Sequence, residues 1–128
     1  METAYVGLEP LPLGSNVGIT VGGEYLDLHN YCDLISLELT ADEAVTVRLR
    51  SLEDHRLIVL SFHGVSEVSQ EGWKYDGRAE EWTVFQEVDV AEHPDGGLVF
   101  TLDAAVIRFY FRAREVRAIV GSPNARRT

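Results

Sequence analysis

A chain of 128 residues is enough for one domain, and its 45% hydrophobic and 25% charged residues are the composition of a packed globular protein, not of a disordered segment. Its 21 acids against 11 bases give a net charge of −10, which disfavours nucleic acid and anionic membrane as partners and favours a basic one. No basic segment leads into an apolar run at the N-terminus and no stretch of about 18 apolar residues occurs, so neither a signal peptide nor a membrane span is expected. The single cysteine, Cys32, has no internal disulfide partner, which fits a reducing, cytoplasmic setting and a role as a small buried hydrophobe.

Charge is laid out unevenly. Residues 1–44 carry eight acids and no Lys or Arg, residues 45–104 have a net charge of −7, and residues 105–128 one of +5. The arginines of the last segment are expected to pair with acids on neighbouring strands, because opposite charges across a ladder are favoured.

In chain order, Pro10, Pro12, Gly14, Ser15 and Asn16 punctuate residues 1–16 too often for a regular element, which predicts an irregular arm. Val17 to Val21 alternates apolar and small residues, and Gly22-Gly23 allows a tight hairpin turn into Glu24 to His29. Leu34 to Leu39 and Val45 to Leu52 read as strands, the second with Val45, Val47 and Leu49 inward and Thr46, Arg48 and Arg50 outward. Between them Thr40-Ala41-Asp42-Glu43 matches a helix capping box, but the period-two, β-branched run that follows makes it a turn.

Arg56 to Val65, RLIVLSFHGV, places Leu57, Val59 and Ser61 on one side of a strand and Ile58, Leu60 and Phe62 on the other. Both sides are largely apolar, which predicts a central strand covered on two faces. Ser66 to Gln70 fits either continued pairing or a short coil, and Gly72 to Glu81 a loop or hairpin tip. Trp82 to Val90 is a strand with Trp82, Val84, Gln86 and Val88 on one side and Thr83, Phe85 and Glu87 on the other. His93-Pro94-Asp95-Gly96-Gly97 is the strongest turn signal, and Leu98 to Leu102 should return antiparallel. Val106 to Arg112 then presents Ile107, Phe109 and Phe111 inward against Arg108, Tyr110 and Arg112, and Val116 to Val120 is the last strand. The expected architecture is all-β, an antiparallel sandwich or partly open barrel of about eight strands: arm 1–16, β domain 17–120 and a flexible basic tail 121–128.

Chemistry is harder to read. His29 and Cys32 are spaced H-x-x-C between Asp27 and Asp33, but a second Cys/His pair is missing, so no metal is expected. His63, beside Gly64, suits a general base only if a carboxylate such as Glu67 or Glu87 orients it. No serine sits in a G-x-S-x-G elbow, and no glycine-rich phosphate loop implies a nucleotide or other cofactor. Trp73, Tyr75 and Trp82 flank a polar loop, which suits either a contact platform for a small ligand or carbohydrate, or a cap on the core.

The passage LSFHGVSEVSQEGW, Leu60 to Trp73, resembles a pattern in small acidic bacterial immunity proteins and β-rich relatives, in which a strand ending in Phe continues through Gly-Val to a Gly-aromatic pair. The resemblance implies a non-catalytic β protein that binds and neutralises a toxin. With it, the sequence points to a protein-binding domain docking a basic partner through acids of its first third, among them Asp27, Asp33, Asp42 and Glu43. Exposed sheet edges also leave pairing with its own copy open.

Overall fold

The computed structural model describes residues 2–72, 83–104 and 107–122. Among them the chain forms β1 (Ala4–Val6), β2 (Gly14–Asn16), β3 (Gly18–Val21), β4 (Glu24–Asp27), β5 (Cys32–Thr40), β6 (Ala44–Ser51) and β7 (Leu57–His63). There follow β8 (Ser66–Gly72), β9 (Phe85–Glu92), β10 (Leu98–Ala104), β11 (Ile107–Arg112) and β12 (Glu115–Val120), and no α-helix. No helix of the described residues is long and apolar enough to cross a membrane.

The strands make two five-stranded sheets, β1-β12-β7-β6-β5 and β2-β9-β10-β11-β8, with β3-β4 as a separate hairpin. Pairing is antiparallel except between β1 and β12. Period-two patterning builds the layers: Val45, Val47 and Leu49 of β6 and Ile58, Leu60 and Phe62 of β7 form the inner face of the first sheet. Val88 and Val90 of β9, Phe100 and Leu102 of β10, and Phe109 and Phe111 of β11 answer from the second. Phe62 meets Phe100 and Phe111 with ring centroids 5.3 and 5.0 Å away, so one aromatic cluster joins the sheets. The fold is thus the expected all-β sandwich, with twelve strands among the described residues where about eight were expected, because β1 and β2 form in the arm read as irregular and β8 in the segment left open between pairing and coil.

Three local expectations need correction. The N-terminal sixteen residues are not irregular throughout: β1 adds to β12 and β2 to β9, while buried Leu8 and Leu11 anchor the chain between them. Prolines 10 and 12 fall between these short strands, where no ladder needs their missing N–H. β7 is central in its sheet, yet only its Ile58-Leu60-Phe62 side enters the core; Leu57 and Val59 lie on the outer surface. In β9 a bulge opposite Asp103 and Ala104 inserts Gln86 as an extra residue, so Phe85 shares the inner face with Val88 instead of opposing it.

The turns follow their chemistry. Gly22 and Gly23 both take positive φ, 59° and 85°, in a two-residue loop closing Val21 on Glu24. The hairpin is shorter than expected because Asp27 ends it: its Oδ1 accepts the backbone N–H groups of His29 (3.0 Å) and Asn30 (2.8 Å). Ser66 to Gln70 does continue into pairing, as β8 against β11, with no side chain buried.

Candidate binding surface

Strand register arranges the outer face of the second sheet into two adjacent rows. One runs Ser15, Asp89, Thr101, Tyr110 and Ser69 across all five strands; the next runs Glu87, Asp103, Arg108 and Glu71 across four. Glu87 and Asp103 are direct cross-strand neighbours, an arrangement of like charges that works against folding. Arg108 offsets part of this charge, with Nη2 2.9 Å from Asp103 Oδ2 and Nη1 3.7 Å from Glu71 Oε1. The Tyr110 hydroxyl donates to Glu71 Oε1 at 3.0 Å. Glu87 and Asp89 receive only a hydroxyl: Ser15 Oγ lies 3.0 Å from Glu87 Oε2 and 3.4 Å from Asp89 Oδ1, and neither acid forms an ion pair among the described residues. At the end of this face Glu67, at φ 54°, holds Arg112 (3.3 Å) and His93 (3.5 Å). Among the described residues, five acids against Arg108 and Arg112 leave this face negative.

The outer face of the first sheet is different. Arg48 pairs with Glu38 at 2.7 Å and Arg117 with Glu115, while Asp33 stands opposite Arg50 in the ladder. Three bases thus meet three acids, around Leu57, Val59 and a 60% exposed Ile119.

A cavity of about 280 Å³ lies between the chain leading into β2 and the β3–β4 hairpin. Leu11, Pro12, Ile19 and Tyr25 give it apolar walls, and Glu9 and Ser15 supply oxygen. Asn16 fixes its rim, its Nδ2 donating to the carbonyls of Pro12 (2.9 Å), Gly14 (3.1 Å) and Val88 (3.3 Å).

The acids expected to form one surface are dispersed. Asp27 is used inside the hairpin end: burial alone would raise its pKa, but hydrogen bonds from Asn30 and His29 outweigh this and hold it below the usual range. Asp33 is exposed at the start of β5. Asp42 accepts the Thr40 hydroxyl, and the carbonyl of Glu43, at φ 63°, accepts the Val65 N–H, both in the turn at the far end of the nine-residue β5. Strand rise puts roughly 25–30 Å between the two ends. Trp73, Tyr75 and Trp82 lie outside the described residues.

His29 and Cys32 do not converge. His29 Nδ1 contacts the Phe85 carbonyl at 2.8 Å, while Cys32 is buried with its thiol pushed up to about 11, first by burial and then by the Asp27 charge. No group of three or more His, Cys, Asp or Glu among the described residues could hold a metal ion. His63 Nε2 bonds Ser61 Oγ at 2.9 Å, and the two acids considered for it are engaged elsewhere, Glu67 with Arg112 and His93, Glu87 with Ser15.

The residues that do converge, Glu71, Glu87, Asp89 and Asp103, lie outside the acidic first third of the sequence. Their signal was the i, i+2 spacing of Glu87 and Asp89 and the outward Arg108 and Tyr110, but the Gln86 bulge and the strand order that aligns them are properties of the fold. Compared with protein-family models, curated proteins and solved structures, the chain matches none.

Proposed function

We propose that this chain is a non-enzymatic protein-binding domain, an inhibitor or immunity protein of the kind its Leu60–Trp73 passage resembles, which docks a basic partner on the outer face of its second sheet. The observation that carries the reading is the Glu87–Asp103 cross-strand pair with Asp89 beside it. Folding gains nothing from acids placed side by side on a ladder, whereas a cationic partner gains steering and complementary contacts. The chain's net charge of −10, to which these acids belong, extends the same field and speeds encounter at low ionic strength.

The test uses the tagged protein and its Glu87→Gln/Asp89→Asn double variant as baits in host lysate. The wild type should retain a stoichiometric basic protein that high salt releases, and the variant should lose it while keeping its fold. Equal retention by both baits, or a partner that is acidic, overturns the reading.

A further inference from the structure

The cavity beside β2 adjoins the acidic face through one residue: Ser15 lines it and donates to Glu87 and Asp89. Three features give it a chemical preference. Glu9, exposed at its edge, has no hydrogen-bond or ion-pair partner for its carboxylate among the described residues, although its backbone N–H is fixed to the Thr20 carbonyl at 2.9 Å. Tyr25, 57% exposed, forms one wall, and Gly18 leaves room for the end of its ring: a Cβ on Gly18 would stand 2.7 Å from Tyr25 Cζ and its hydroxyl oxygen. The rim is preformed, because Pro10 and Pro12 restrict the strap and Asn16 holds it through three carbonyls. Its volume, about 280 Å³, lies below the usual range of roughly 300–1,000 Å³ for sites enclosing a whole small molecule. It suits one long side chain.

We infer that this cavity receives an arginine side chain of the basic partner, with its guanidinium on the Glu9 carboxylate and over the Tyr25 ring and its methylenes against Leu11 and Pro12. A planar cation can make the bidentate carboxylate contact and the stacking contact together, which an ammonium cannot. The inference rests on the acidic-face reading and adds a specific anchor to it.

The probe is the capped tripeptide acetyl-Gly-Arg-Gly-amide, titrated into the ¹⁵N-labelled full chain, with citrulline and lysine counterparts as controls. The arginine peptide should shift amides of residues 9–20 and Tyr25, the lysine peptide should bind several-fold more weakly, and the uncharged citrulline peptide should fail. Glu9→Gln, an exposed near-isosteric change, and Tyr25→Leu should each weaken binding about tenfold or more with the rest of the spectrum unmoved. Shifts confined to the face of Glu71, Glu87, Asp89 and Asp103, equal binding of the citrulline peptide, or no shifts at all overturn the anchor. The two ideas separate in the lysate experiment: if Glu9→Gln retains the basic protein as well as wild type while the Glu87/Asp89 variant loses it, the acidic face stands and the cavity does not.

Discussion

The two outer faces of the sandwich rest on similar ladders but treat charge in opposite ways. On the first sheet each acid has an arginine beside it, Glu38 with Arg48, Glu115 with Arg117 and Asp33 with Arg50, so the face is balanced. On the second, Glu87 sits opposite Asp103, and among the described residues Asp89 has only the Ser15 hydroxyl. The first is what a solvated β-surface does when it answers only to folding. The second carries a self-repulsion that the proposed binding role would explain.

The comparison breaks most completely if the shared core is removed. Phe62→Ala takes away the ring that joins both sheets, 5.3 and 5.0 Å from Phe100 and Phe111, and should cost about 3–5 kcal/mol in chemical denaturation. Both faces should then fail together. A smaller, local effect is expected in the hairpin outside both sheets: a Cβ on Gly18 would stand 2.2 Å from the Leu26 carbonyl oxygen, so Gly18→Ala should cost about 1–3 kcal/mol. Its ¹⁵N spectrum should change around β3, β4 and the cavity and leave the Glu87–Asp103 region in place.

Acidification separates acids that serve the fold from acids that serve the surface. Asp27 and Asp54 both have pKa values below the ordinary range: at Asp27 hydrogen bonds overcome burial, and at Asp54 the Ser51 hydroxyl and Arg56 do so. A pKa depressed in the folded state means stability that is complete above the unfolded value, near 4, and lost as pH falls toward the folded one. Urea midpoints should therefore drop below about pH 4, and Asp27→Asn should flatten that drop while leaving partner capture at neutral pH unchanged. A variant whose acid limb is as steep as wild type would show that Asp27 contributes nothing through its charge.

How far the sequence reached depends on whether a feature is local. Alternation in Val45–Leu49 and Ile107–Phe111 located inward faces, because two-residue periodicity survives any strand order. The Gly22-Gly23 turn was equally legible from the φ angles its residues favour. The β9 faces were not, since the Gln86 bulge shifts alternation by one residue without altering composition. Acidity was legible in amount and not in place: the acids of residues 1–44 are spread over the N-terminal segment, the β3–β4 hairpin, β5 and the turn after it, whereas register brings Glu71, Glu87, Asp89 and Asp103 together from three strands up to 32 positions apart. The cavity had no sequence signature, because it forms where an apparently irregular arm crosses a hairpin.

The smallest effects give the sharpest test, because the two faces predict opposite signs. Removing one charge from a cross-strand like pair should relieve repulsion, so Glu87→Gln should stabilise the fold by about 0.2–1 kcal/mol. Removing one partner of the balanced face should do the reverse: Arg48→Met breaks its 2.7 Å pair with Glu38 and, at this partly exposed site, should cost no more than about 1 kcal/mol. Added salt should shrink both differences, since both are charge effects at the surface. Partner binding should follow neither stability change: it falls with the stabilised Glu87→Gln and holds in the destabilised Arg48→Met. If Glu87→Gln destabilises instead, the acid contributes to folding and the argument that its placement serves a partner fails.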